Sequence, residues 1–117
     1  MITKLHSATF LGINAIIVDV EIFIANGIPG IMIVGLPDTS TKESKDRVKA
    51  AIKNSNFEYP ARKITINLAP ADIKKSGPIF DLSLALGILI SAKLLIPRNV
   101  ALCNFVIIKF VILHDYN

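Results

Sequence analysis

Hydrophobic and polar residues alternate along two stretches of the chain, and this alternation predicts two half-buried β-strands. Between positions 16 and 24 every second residue is isoleucine or valine, and the intervening residues include Asp19 and Glu21. Between positions 63 and 69, three aliphatic residues alternate with lysine, threonine and asparagine. Because successive side chains of a strand point to opposite faces, each segment has one apolar face. A turn at 26–30 with two glycines and a proline leads to a short predicted strand at 31–34.

A longer hydrophobic period predicts two helices. In segment 40–54, Ser40 and Glu43 have the spacing of a capping box, in which the hydroxyl accepts an early backbone N–H and the carboxylate reaches back to the cap. The residues predicted to face inward are Ser44, Val48, Ala51, Ile52 and Ser55. Segment 80–93 is apolar on nearly every side, which predicts a buried helix that Pro97 ends.

The order of these elements predicts an α+β fold. Strands come first, followed by helix, strand and helix, which indicates a mixed sheet with the helices packed on one face. Segment 99–117 is predicted to hold one buried strand and a frayed end. The length of 117 residues allows one domain, which we assign to 1–117.

Composition excludes an intrinsically disordered protein, because 52% of the residues are hydrophobic and 19% are charged. The mean hydropathy of +0.56 is high for a soluble domain. The apolar runs at 82–92 and 101–113 are nevertheless shorter than the about 20 residues of a membrane-spanning helix, so buried core elements are favoured. No signal peptide is evident, and the single cysteine, Cys103, suits a reducing compartment. The expected location is therefore cytoplasmic, away from the membrane.

The formal net charge of +4 permits an acidic partner such as DNA. Four lysines fall within about 80° of one another on the predicted helix 40–54, and two more follow the strand at 63–69. Lysines contact phosphates without reading the base sequence. The candidate DNA phosphate contacts are Lys42, Lys45, Lys49, Lys53, Lys74 and Lys75. The competing interpretation is a solvated helix face, since Glu43 and Asp46 dilute the positive charge.

Motifs for catalysis or cofactor binding are not found in the sequence. The phosphate-binding loop of NTPases requires a Gly-Lys pair, and none of the six glycines precedes a lysine. A lone GxxG at 27–30 lies between predicted strands and contains Pro29, which has no N–H, so a structural turn is favoured over a nucleic-acid clamp. His6 and His114 lie near opposite ends without a carboxylate at a recognisable spacing. We therefore predict no catalytic, nucleotide-binding or metal-binding residue and no cofactor in this chain.

Four segments together resemble the N-terminal domain of the ComM/YifB family of magnesium-chelatase-like AAA+ ATPases, most strongly over 1–97. They are Gly35-Leu36-Pro37-Asp38, then Lys42-Glu43-Ser44 with Arg47-Val48 and Lys53-Asn54-Ser55, then Ile64-Thr65-Ile66-Asn67-Leu68-Ala69-Pro70-Ala71-Asp72, and Phe80-Asp81-Leu82 with Ala85-Leu86-Gly87-Ile88-Leu89. The resemblance implies a fold similar to the second domain of small-subunit ribosomal protein five and to Lon-type protease domains. For full-length members it implies an AAA+ motor that uses ATP and magnesium, a hexamer, and, for ComM, DNA branch migration during natural transformation.

The chain departs from the family pattern in two respects. It contains no residue of the AAA+ module. The match fades after about Val106, and segment 109–115 stands where family members have Gly-Glu and an Asp-Gly turn. The domain 1–117 is therefore expected to be incomplete, as the product of a truncated or decaying gene. In the stretch that resembles the catalytic loop of Lon proteases, Ile79 stands where the nucleophilic serine would be. An aliphatic side chain cannot attack a carbonyl, so this chain is not expected to be an enzyme.

Two functions are compatible with these observations. The first is a non-catalytic N-terminal domain, or a truncated remnant, of a ComM-like ATPase, with DNA and further copies of the chain as expected partners. The alternative is a stand-alone protein-interaction module without a DNA or nucleotide role, in which the apolar segment 101–113 offers an open sheet edge.

Overall fold

The computed structural model describes residues 2–75 and 78–96, which form a four-stranded sheet and two helices. The elements in chain order are β1 (Ile2–Leu11), β2 (Asn14–Ala25), β3 (Gly30–Val34), α1 (Thr39–Asn54), β4 (Lys63–Ala69), a 3₁₀ turn (Pro78–Phe80) and α2 (Asp81–Ser91). The predictions for segment 99–117, Pro97 and Cys103 lie outside the described residues.

The sheet is mixed, as the sequence predicts, with strand order β1-β2-β4-β3. β2 pairs antiparallel with both β1 and β4, whereas β3 pairs parallel with β4. β2 and β3, which the turn 26–30 connects, are therefore not neighbours in the sheet, because β4 lies between them. Since parallel strands need a crossover, α1 connects β3 to β4 across one face of the sheet. The α+β arrangement is confirmed.

The helices cover a single face of the sheet, and the core lies between them. The alternate residues Val18, Val20, Ile22 and Ile24 of β2 are buried against it, as the period of two predicts. Val48 and Ile52 of α1 and Leu84 and Ile88 of α2 complete the same cluster. On the opposite face Ile17, Phe23 and Met32 remain 53%, 44% and 57% exposed.

The sequence-based prediction missed β1, which pairs with β2 over its whole length. Polar residues lie on both faces of this strand, so its hydrophobic pattern does not alternate. Ser7 and Thr9 are buried beside Leu5, whereas Lys4 is exposed on the other face. The strands are joined at Gly12, whose φ of +65° is the left-handed conformation that suits a tight turn.

The N-terminus of α1 differs from the predicted capping box. Asp38 is the N-cap, and its Oδ1 accepts a hydrogen bond from the backbone N–H of Thr41 at 2.7 Å. Ser40 lies inside the helix, so the N-cap is two residues before the predicted one. On the inner side Ser44, Val48 and Ile52 are buried as predicted, but Ala51 and Ser55 are exposed. Thr41 is buried in addition, because this side of the helix faces the segment around Lys75, whose carbonyl oxygen accepts from the Thr41 hydroxyl.

α2 is embedded in the protein, as its apolar sequence predicts, since none of its residues is classed as exposed. It ends at Ser91, two residues before the predicted end, and Lys93 adopts a left-handed φ of +60°. Within the described residues no helix is long and apolar enough to cross a membrane.

Arg47 joins α1 to α2. Its Nε donates to Oδ2 of Asp81 at 2.7 Å, and its Nη2 donates to Oδ1 at 3.2 Å. Nη2 also donates to the carbonyl oxygen of Ser40 at 2.8 Å. The hydrogen bonds that Arg47 donates to Asp81 raise the pKa of Arg47 above its usual value, so the guanidinium stays charged. This pair links the middle of α1 to the first turn of α2 at the surface.

Candidate nucleic-acid interface

Four of the lysines predicted from the sequence lie together on the outer side of α1. We call this surface, Lys42, Lys45, Lys49 and Lys53, the lysine face, and all four residues are exposed. Because they are spaced by three or four residues, they are neighbours along one side of the helix. The buried side of the same helix packs on the core, and the lysine face lies along the exposed flank of α1 that borders β3.

The remaining two candidates, Lys74 and Lys75, have different environments. Lys74 is exposed in the segment after β4, whereas Lys75 is fully buried and its Nζ donates to the carbonyl oxygen of Pro70. Burial lowers the pKa of Lys75, although the nearby Asp72 acts in the opposite direction. A buried ammonium group cannot contact a phosphate at the surface. Lys75 is therefore removed from the candidate set, a distinction that two adjacent lysines in a polar loop do not reveal in sequence.

Three lysines of the lysine face line a cleft of about 440 Å³. We call it the basic cleft; its walls are α1, the start of β3 and the segment 59–61. Lys45, Lys49 and Lys53 come from the helix, and Asp46 is the carboxylate among the lining residues. Lys42 lies outside this cleft and, with Lys45, borders a second hollow of about 260 Å³ beside β3.

Tyr59 is a lining residue that the sequence-based reasoning missed. Its ring is half-buried, and Nζ of Lys49 lies 5.5 Å from the ring centroid, within the range of a cation–π contact. Burial raises the pKa of the Tyr59 hydroxyl, so the phenol is neutral at physiological pH. In sequence, Tyr59 marks only the end of the helix. Its distance from the lysines is set by the return of the chain into β4.

The GxxG segment 27–30 reaches the same cleft. Gly30 and Pro29 are among the lining residues, and the N–H of Gly30 donates to the carbonyl oxygen of Arg62 at 3.3 Å. The segment connects two strands, which agrees with the structural turn favoured from the sequence. The lysine row and the glycine turn, two separate motifs in the sequence, are brought together by the pairing of β3 with β4.

His6 has a carboxylate partner that the sequence spacing does not show. Residues 6 and 19 are opposite each other in the β1–β2 register, and Nδ1 of His6 lies 2.7 Å from Oδ1 of Asp19. Nζ of Lys4 is 3.4 Å from the other oxygen of Asp19. Burial acts to raise the pKa of Asp19, but the hydrogen bonds from His6 and Lys4 outweigh it and hold the pKa below its usual value.

Ile79 and Ser83, near the stretch compared with the Lon catalytic loop, have structural positions. Ile79 is buried in the core, and the hydroxyl of Ser83 donates to the carbonyl oxygen of Phe80 at 2.8 Å. In the parts of the chain that the structure describes, no three His, Cys, Asp or Glu residues come together as a metal site.

Comparison with known proteins connects this architecture to one family. Residues 20–108 match the sequence model of subunit ChlI of Mg-chelatase. The chain is 49% identical to YifB of Salmonella typhimurium over 94 residues, which are 80% of this chain and 19% of that protein. It is 51% identical to YifB of Escherichia coli over 88 residues, 75% of this chain and 17% of that protein. It is 44% identical to competence protein ComM of Haemophilus influenzae over 101 residues, 86% of this chain and 20% of that protein. The matched region thus spans about a fifth of the length of these relatives.

Proposed function

The chain belongs to the ChlI family of Mg-chelatase subunits, with YifB and ComM among its relatives, and we propose that it is a non-catalytic N-terminal region of a ComM-like AAA+ ATPase. The function that we propose for this region is to contact nucleic-acid phosphates. In a full-length protein of this kind the motor would bind ATP and magnesium, and this region would hold the DNA that the motor moves. The same proposal includes four further expectations. They are a fold similar to ribosomal protein five and Lon, assembly as a hexamer, a cytoplasmic location and a role in branch migration of recombining DNA.

The observation that carries the proposal is the position of the lysines. Lys45, Lys49 and Lys53 line one cleft, and the opposite flank of α1 is packed on the core through Val48 and Ile52. An exposed row of ammonium groups on such a helix meets the repeating negative charge of a nucleic-acid backbone and displaces its counterions. Glu43 and Asp46 lie on the same helix and reduce the local charge without interrupting the row.

Charge reversal on the lysine face tests this function. We expect the double variant Lys45→Glu/Lys49→Glu to bind duplex DNA about 10- to 100-fold more weakly, by the same factor for unrelated sequences. The slope of log affinity against log salt should fall by about two, because each lost phosphate contact removes about 0.9 from it. Fluorescence anisotropy of labelled duplexes across a salt series measures both quantities.

The matched control is Lys63→Glu/Lys93→Glu, which changes the net charge by the same amount at exposed lysines outside the lysine face. It should retain a salt slope close to that of the unmodified protein. An unchanged salt slope in the α1 variant, or an equal loss in both variants, would contradict specific phosphate contact by the lysine face.

A second candidate function is supported by the face of the sheet that the helices leave open. Ile17, Phe23 and Met32 form exposed apolar positions there, which suits a protein partner or a second copy of the chain. Segment 101–113, on which the sequence-based alternative rests, lies outside the described residues. Sizing chromatography with light scattering separates the two candidate functions. An oligomer that dissociates in the Phe23→Lys variant and does not change when DNA is added favours the protein-interaction function. A monomer with salt-sensitive DNA binding favours the nucleic-acid function.

A further inference from the structure

The basic cleft combines three features that a phosphate-contacting surface does not require. It is a concave site rather than a row of charges, it contains an aromatic ring, and apolar groups line part of its wall. A row of lysines on an exposed helix would serve a duplex backbone equally well without any of them. The combination of positive groups and a ring is what single-stranded nucleic-acid sites use, because an unpaired base presents a face on which an aromatic side chain can stack.

The dimensions of the cleft favour one nucleotide over a duplex. A volume of about 440 Å³ lies in the range of sites that enclose a small molecule. The paired bases of a duplex are stacked inside it and cannot enter such a site, whereas an unpaired nucleotide can turn its base into the cleft. The lysines of α1 form one side, and Tyr59 and Ile31 lie among the remaining lining residues.

The charges in the cleft also suit a nucleotide. Lys49 is held near the ring of Tyr59, and Lys45 and Lys53 lie one helical turn to either side of it. Because Nζ of Lys49 lies over the ring of Tyr59, we expect the ammonium group to move from the ring to the phosphate when the attached base stacks there. Asp46 is the one carboxylate among the lining residues, and three ammonium groups outweigh it.

We propose that the basic cleft binds one unpaired nucleotide of a single-stranded nucleic acid, with its phosphates on Lys45, Lys49 and Lys53 and its base against Tyr59. This inference rests on the proposed nucleic-acid function and adds to it a preference for single strands. The lysines supply the part of the affinity that duplex and single strand share, and Tyr59 supplies the part that only a single strand gains.

The test uses Tyr59→Leu, which removes the ring and keeps an apolar side chain, and Tyr59→Phe, which keeps the ring. We expect Tyr59→Leu to bind a labelled 15-residue oligothymidylate about tenfold more weakly, with an unchanged salt slope, because stacking rather than phosphate contact is lost. Its affinity for duplex DNA should not change. Tyr59→Phe should bind both probes like the unmodified protein. Circular dichroism verifies that both variants are folded.

A second measurement does not depend on the folding of the leucine variant. The chain has two tyrosines and no tryptophan, so Tyr116→Phe leaves Tyr59 as the only strong emitter. Oligothymidylate should quench its fluorescence at saturation, whereas duplex DNA of equal phosphate concentration and thymidine monophosphate should not. Equal quenching by the mononucleotide would overturn the proposal in favour of a free nucleotide.

The outcomes separate this inference from the function on which it rests. If neither probe binds the unmodified protein, the nucleic-acid function itself is wrong. If both probes bind, Lys45→Glu/Lys49→Glu weakens both, and Tyr59→Leu changes neither, then the phosphate contact stands and the single-strand site is refuted.

Discussion

Replacing Gly35 by alanine is expected to lower the free energy of unfolding by about 3–5 kcal/mol, a large part of the 5–15 kcal/mol that holds a typical domain folded. Gly35 lies between β3 and α1, where the chain approaches the backbone of Leu68 in β4. A Cβ at this position would be 2.0 Å from the carbonyl oxygen of Leu68 and 2.9 Å from its carbonyl carbon. These are backbone atoms of a paired strand, so they cannot move aside as the end of a side chain could.

Two effects add at Gly35. Its φ of +107° is a conformation that side-chain-bearing residues rarely adopt, which contributes about 1–3 kcal/mol. Forcing a methyl group against the strand adds about 1–3 kcal/mol or more. Gly12→Ala is the matched control, because Gly12 also has a positive φ, of +65°, but no atom lies within 4 Å of its added Cβ.

Urea unfolding followed by circular dichroism measures both glycine variants. We expect Gly12→Ala to lose only the conformational part, about 1–2 kcal/mol, and Gly35→Ala to lose more or to fail to fold. Equal losses would show that the approach to Leu68 relaxes without cost, which would contradict the packing described for this crossing.

The segment Leu36-Pro37-Asp38, which belongs to one of the four motifs that resemble the ComM/YifB family, makes specific backbone contacts. Leu36 has a φ of +56°, Pro37 forms a parallel bridge with Lys75, and Asp38 caps α1. The carbonyl oxygen of Leu36 accepts a hydrogen bond from the N–H of Lys75 at 2.9 Å, and the N–H of Asp38 donates to the carbonyl oxygen of Lys75 at 2.9 Å. The cap at Asp38 and the hydrogen bonds on either side of Pro37 give this segment a structural role, and Leu36 adopts its left-handed conformation despite its side chain.

Where the hydrophobic period was clear, the sequence predicted the fold correctly. β2, β4 and α2 each have an apolar pattern that matches their burial, since the face in contact with the core determines which residues are aliphatic. β1 was missed because its buried face includes Ser7 and Thr9. The register of the α1 cap was missed because Asp38 and Ser40 are both good capping residues, and only the bridge to Lys75 selects Asp38.

The candidate interface was predictable in part. The helical period places four lysines on one side of α1, and this arrangement is what the structure has. The cleft was not predictable, because Tyr59 and Gly30 approach the lysines only through the parallel pairing of β3 and β4. Pairing between distant strands depends on tertiary packing, which no local pattern encodes. For the same reason Lys75 was assigned to the surface.

Lys75→Ala is expected to lower the free energy of unfolding by about 2–4 kcal/mol, because it removes a fully buried side-chain stem and leaves a cavity. The carbonyl oxygen of Pro70 also loses the donor Nζ. Lys75→Met keeps most of the stem and removes the buried charge, so we expect it to remain within about 1 kcal/mol of the unmodified protein at neutral pH. Equal losses in the two variants would contradict a packing role for the stem.

The pH dependence of these variants tests the buried charge separately. Burial lowers the pKa of Lys75 in the folded state below its usual value of 10.5, so between the two values the unfolded chain binds a proton that the folded protein does not. The free energy of unfolding contributed by Lys75 therefore rises with pH across this window and is lowest below it. Lys75→Met lacks this rise, so its stability relative to the unmodified protein should decrease as the pH approaches 10.5.

Urea unfolding at intervals from pH 7 to 10.5 measures the difference in the free energy of unfolding between the two proteins. The titration of Tyr59 cancels in this difference because both proteins share it. A difference that does not change with pH would mean that the ammonium group of Lys75 is solvated in the folded protein, and the surface assignment made from the sequence would then be restored.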